Sequence, residues 1–142
     1  MNDGYLYRGK RSDNNEWVEG FLTKMWGKYH IINPDDENTA YPIDNDTICK
    51  CTGKEYMNSD TAWQGDIFES QVSGDLMILR YGTYKAYCPA DKCYMDSVGF
   101  YAECKGYPDM PIGDLQEYAL KRGNIFDNPE LVEIWLQSEV EA

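Results

Sequence analysis

Along most of the chain the apolar side chains recur at every second position, in runs of four to eight residues punctuated by Gly, Pro, Asn and Asp. That is the period of strands facing a core on one side. Tyr5-Leu6-Tyr7-Arg8 reads as a short strand, and Ser12-Asp13-Asn14-Asn15 as a hairpin turn. Glu16 to Thr23 sets Trp17, Glu19 and Phe21 against Val18, Gly20 and Leu22, so both faces of this strand are partly apolar. Lys28 to Ile32 is a third strand. Pro34 to Asn38 reads as a solvated acidic loop, and Pro42 to Asp46 as a second polar connector.

The middle of the chain carries the strongest signal. Thr47 to Gly53 and Ala62 to Phe68 are two apolar runs flanking a polar loop. Between Trp63 and Ile67, Gly65 supplies a residue that accepts φ > 0, and Asp66 an acceptor for nearby backbone N–H groups. A corner is expected there, redirecting the chain into a strand from Ile67 to Val72. Ser73-Gly74 turns it back as Asp75 to Tyr81, with Leu76, Ile78 and Arg80 on one face and Met77, Leu79 and Tyr81 on the other. Apolar groups on both faces imply an interior strand or a face covered by another subunit. A break is expected at Gly82, then a strand from Tyr84 to Cys88, a loop over Pro89 to Lys92, and a strand from Val98 to Cys104. Gly106 to Gly113 is too proline-rich for a central strand.

Toward the C-terminal end the period changes. Asp114-Leu115-Gln116-Glu117 has capping-box chemistry and predicts a helical turn near Asp114 to Tyr118, followed by a strand from Ala119 to Phe126. Asn128-Pro129-Glu130 then opens a helix with an N-cap acceptor, Pro at the first position and acid in the first turn. Its apolar stripe is Leu131, Ile134, Trp135 and Leu136. The fold expected is mostly β, a small antiparallel barrel- or sandwich-like domain covering residues 1–142, with one short helix near 129–138. So short a helix is marginal alone in water. Leu131, Ile134 and Trp135 must bury against something, and a contact between copies in a homo-oligomer is one expectation; a site on the same domain is the other.

Composition narrows the function classes. A net charge of −12 repels phosphate backbones and anionic lipid, so direct nucleic-acid binding is not expected. No apolar run reaches the ~18–20 residues of a spanning helix, and the N-terminal residues lack a signal pattern, which points to the cytoplasm and away from the membrane. Five cysteines, an odd count, then suggest free thiols. Cys49, Cys51, Cys88 and Cys93 offer four sulfurs to a zinc ion, but their spacers of one and four residues suit paired zinc knuckles poorly, and no metal or other cofactor is expected. His30, the single histidine, lies in an apolar strand with no Ser, Cys or acid in local register. No phosphate loop, dinucleotide fingerprint, Gly-x-Ser-x-Gly or His-Glu-x-x-His occurs, so no catalytic residue is named and the protein reads as non-enzymatic.

Several short motifs, taken together, resemble a known family. Tyr7-Arg8-Gly9-Lys10, Trp17-Val18-Glu19-Gly20, Cys51-Thr52-Gly53-Lys54, Trp63-Gln64-Gly65-Asp66-Ile67 and Gly123-Asn124-Ile125-Phe126-Asp127-Asn128-Pro129-Glu130-Leu131 are similar to the YopX-like family of phage and prophage proteins. The resemblance implies a mostly-β, oligomer-prone accessory protein of a mobile element, without catalytic residues to carry over. One expectation is action by binding against host defences, in the host cytoplasm, by occluding a host protein or sequestering a small signalling molecule. Arg8, Trp17, Trp26, Arg80 and Tyr84 are the aromatics and cations suited to stack a ring and hold its charge. The rival expectation is an acidic nucleic-acid mimic that blocks a DNA-binding host protein.

Overall fold

The computed structural model describes residues 6–137. Tyr5, the loose start before it and the helix end at Ser138 lie outside the described residues. The fold is mostly β, built of two antiparallel sheets, with a single short helix near the C-terminal end. By its internal packing the chain forms two compact units that divide after Gly53.

The first unit is a meander. β1 (Tyr7–Lys10), β2 (Trp17–Met25), β3 (Lys28–Asn33) and β4 (Asp36–Pro42) pair in sequence, and β5 (Cys49–Glu55) returns beside β1, giving the order β4-β3-β2-β1-β5. The turn between β1 and β2 forms where the Asp/Asn cluster predicts it, closed by Arg11 N–H to Glu16 O at 2.9 Å and by Glu16 N–H to the Asn14 side chain at 3.0 Å. β2 and β3 are joined by Trp26 and Gly27 alone, both left-handed at φ 50° and 77°, the signature of a type I′ hairpin. The acidic stretch after Pro34 departs from expectation. Only Pro34 and Asp35 turn, and Asp36 to Pro42 is an edge strand against β3. Its first three residues face solvent, so its polarity marks an edge and not a loop. Before β5, a short 3-10 turn at Asn45–Thr47 is capped by the Asp44 carboxylate. Thr47 Oγ1 accepts from Lys10 N–H at 2.8 Å and donates to Asp44 O at 2.7 Å. Ile31, Ile43, Cys49 and Cys51 are buried, the two cysteines alternating with half-exposed Lys50 as a strand requires.

In the second unit, β6 (Thr61–Trp63) leads into the Gly65 corner and β7 (Asp66–Ser70). The corner behaves as its residues predict. Gly65 has φ 89°, its N–H donates to Leu79 O at 2.7 Å, and its carbonyl accepts from Ile125 N–H at 2.9 Å. The Asp66 carboxylate, fully buried, accepts from Trp63 N–H at 2.8 Å and the Tyr56 hydroxyl at 2.9 Å, with Lys121 Nζ 3.7 Å from its other oxygen. β8 (Leu76–Cys88), β9 (Cys93–Glu103), β10 (Met110–Pro111) and β11 (Ala119–Asn124) complete a sheet of order β10-β9-β8-β7-β11. The predicted break at Gly82 does not occur. Gly82 faces Gly99 in an unbroken ladder, and β9 starts at Cys93, five residues before the expected Val98.

Over its first residues, Leu76 to Leu79, β8 is covered on both faces from within the unit. Met77 and Leu79 join Tyr56, Phe68, Ala102, Leu115 and Ala119 on one side. Ile78 joins Ile67 and Trp135 on the other. Trp135 belongs to α1 (Pro129–Gln137), and its indole N–H donates to Glu103 O at 3.0 Å. The inner face of α1 is Leu131, Val132 and Trp135. Ile134 and Leu136, placed in the stripe by sequence, are exposed. Trp135 therefore needs no second subunit to account for its burial. The helix also starts differently: Asn128 Oδ1 accepts from Asn124 N–H at 3.1 Å and not from the helix, while Pro129 occupies the first position as predicted. Asn124 Oδ1 in turn accepts from Phe126 and Asp127 N–H at 2.9 and 2.8 Å, so this buried Asn builds the turn that aims the helix.

Candidate binding surface

The five aromatic and cationic residues suggested by sequence do not form one set. In the first unit, Arg8 on β1 stacks over Trp17 on β2, its guanidinium 4.6 Å from the ring centre, and Lys10 approaches the same ring at 5.3 Å. Arg8 is buried, so this pair is part of the packing of the sheet. Trp26 lies at the opposite end of β2 on the hairpin tip, 90% exposed. In the second unit, Arg80 on β8 is ion-paired with Glu103 on β9 at 3.0 Å, and Tyr84 is buried against Tyr101, rings stacked at 4.6 Å. The Tyr84 and Tyr101 rings lie diagonally about the Gly82–Gly99 pair, where no side chain stands between them. Tyr101 is shifted to higher pKa by burial and then by the negative charges of Asp109 and Glu103, with Arg80 opposing. Burial, and then Glu103, also raises Asp109.

His30 is half-buried on β3, its Nδ1 3.1 Å from Lys28 O. Cys49 and Cys51 are buried in the first unit, whereas Cys88 and Cys93 face each other at the end of the β8–β9 hairpin. Among the described residues no three His, Cys, Asp or Glu side chains gather as a metal site requires.

What the sequence reading missed is a surface. β7 pairs with β8 only from Leu76 to Ile78, and β10 meets β9 only at Tyr101 and Ala102. From Tyr81 to Phe100 the two long strands pair with each other and, among the described residues, with no third strand, forming a two-stranded ribbon. One face of it carries Tyr81 against Phe100, Thr83 against Val98, Lys85 against Asp96, and Tyr87 against Tyr94. The aromatic pairs sit 4.7 and 5.2 Å apart between ring centres, and Lys85 Nζ reaches Asp96 Oδ1 at 2.5 Å. Val98 is 74% exposed and Tyr94 57%, so the face is apolar yet open. Tyr81, Tyr87, Tyr94, Val98 and Phe100 share a face only because β8 and β9 pair in this register, and the break expected at Gly82 with a strand expected to start at Val98 left them in separate elements.

A cavity of about 330 Å³ opens in the same unit, lined by Val72, Asp75, Met77, Tyr107, Met110 and Tyr118 with Ser70 and Ser73. The Tyr118 hydroxyl is committed to Ile112 O at 2.6 Å, and burial raises its pKa. Its one charged lining residue is Asp75, so the cavity suits a neutral or cationic apolar group and not an anion. No family model matches the chain, and no curated protein matches it.

Proposed function

We propose that this chain is a non-enzymatic accessory protein of phage or prophage origin that acts by binding, and that the β8–β9 ribbon is its contact arm. The origin rests on the YopX-like resemblance of its motifs. The observation that carries the binding reading is the open apolar face of Tyr81, Phe100, Val98, Tyr87 and Tyr94 on a ribbon that, among the described residues, has no further strand beside it. A two-stranded ribbon is marginally stable in water, and covering one face supplies what it lacks. Charge favours a second copy as the cover. Residues 81–100 contain Lys85, Lys92, Asp91 and Asp96, two of each sign, in a protein whose net charge is −12. This is where two acidic chains approach with least repulsion. The same neutrality argues against an acidic mimic acting through this surface. A self-associated form would then occlude a host protein.

Light scattering tests the first step. The wild-type chain, 16.4 kDa, should run above monomer mass at micromolar concentration. Tyr94→Lys combined with Val98→Lys should return it to monomer while keeping the folded chain's circular dichroism, because both residues are exposed, and its unfolding temperature should no longer depend on protein concentration. A monomeric wild type rejects self-association through the arm. Affinity capture from phage-carrying cells with both forms tests the second step: a host protein held equally by wild type and the double variant does not use this surface.

A further inference from the structure

We propose that Cys88 and Cys93 form an oxidisable dithiol, a modification site at the free end of the β8–β9 ribbon whose oxidant is a small disulfide of the glutathione type. Cys88 and Cys93 are direct partners in the antiparallel register. Facing residues of such a pair have Cα atoms roughly 4.5–5.5 Å apart and side chains on the same face. Disulfides span Cα separations of about 4.4–6.8 Å, so the bond needs no change of register. Only Pro89 to Lys92 separates the two strands, which keeps the sulfurs near each other even when the tip frays.

Accessibility singles out this pair. Cys93 is exposed and Cys88 half-buried, whereas Cys49, Cys51 and Cys104 are 1%, 0% and 4% exposed. In the reduced protein the Cys88 thiol donates to Asp91 Oδ2 at 3.7 Å. Cys93, as thiolate, attacks one sulfur of the small disulfide; the S–S bond breaks and one thiolate leaves and takes a proton. Cys88, deprotonated, then attacks Cys93 sulfur and expels the second small thiol. Two electrons pass from the dithiol to the small disulfide, which ends as two thiols, and one Cys88–Cys93 bond forms. The product staples the free end of the β8–β9 ribbon. This inference rests on register and exposure, independently of what the arm binds.

The native wild-type protein is incubated with oxidised glutathione, quenched with acid, alkylated under denaturing conditions and measured by mass spectrometry. Of its five thiols, two should be lost with a mass decrease of two hydrogens, and peptide mapping should link Cys88 to Cys93. Cys88→Ser should instead stop at the first step, gaining one glutathionyl group on Cys93. Five alkylated thiols after oxidation, glutathione adducts on the wild type without the internal bond, or a link involving another cysteine or a second chain would each overturn the proposal.

Discussion

The Tyr56 hydroxyl donates to the fully buried Asp66 carboxylate at 2.9 Å, joining the turn before β6 to the first residue of β7. The same carboxylate oxygen holds Trp63 N–H, so one acceptor serves both ends of the corner. Replacing Asp66 with Ala removes the acceptor from both donors in a dry site and should cost about 3–5 kcal/mol. Tyr56→Phe should cost about 1–2 kcal/mol. In denaturant unfolding the double variant should be less destabilised than the two singles added, by at least ~0.5 kcal/mol. Additive losses would mean that the two residues stabilise the fold separately.

Trp26 holds a left-handed backbone at φ 50° that bulky side chains rarely adopt, with its ring almost wholly in solvent. Trp26→Asn creates the Asn-Gly pair that a type I′ turn prefers. Stability should rise by about 0.5–1 kcal/mol, measured as the denaturant midpoint at unchanged slope. A loss would show that the ring contributes to the folded state in spite of its exposure.

Burial, and then the charge of Asp75, pushes the Cys104 thiol from 9.0 up to about 11. Between those values the unfolded chain has lost this proton while the native protein keeps it. Fewer protons in the unfolded state mean that stability falls as pH rises, starting near 9 and complete near 11. The loss from this thiol should be on the order of 2 kcal/mol. Cys104→Ala should lower stability at neutral pH but flatten its decline over that window, read from urea unfolding at each pH. An unchanged decline would assign it to other groups, among them Tyr101 and Tyr118, whose raised values act at higher pH.

Trp135 is both a packing anchor and a donor to Glu103 O, with Lys105 Nζ 4.8 Å from its ring. Trp135→Phe should cost about 1 kcal/mol and Trp135→Ala about 3–5 kcal/mol. Neither should change the mass measured by light scattering. A fall to lower mass with Trp135→Ala would restore the intersubunit role for α1.

Local geometry follows from neighbouring residues. Alternation placed most strands, the Asp/Asn and Gly-containing turns fell where their φ preferences demand, and Gly65-Asp66 announced the corner that organises the second unit. Asp114 capped a helical turn and Pro129 opened the helix for reasons contained within a few residues. Tertiary structure decided whatever depended on a partner distant in sequence. Asp36 to Asn38 looks like part of a loop until β3 supplies a ladder for an edge strand. Gly82 looks like a break until Gly99 faces it and tyrosines close over the gap. Whether Trp135 faced its own sheet or another copy depended on where β9 put the Glu103 carbonyl. Of the binding residues read from sequence, Arg8 and Trp17 met, while Trp26 was carried to a hairpin tip. The exposed ribbon face and the Cys88–Cys93 pair were hidden for one reason. Each is a property of β8 and β9 in register, and composition along either strand does not encode register.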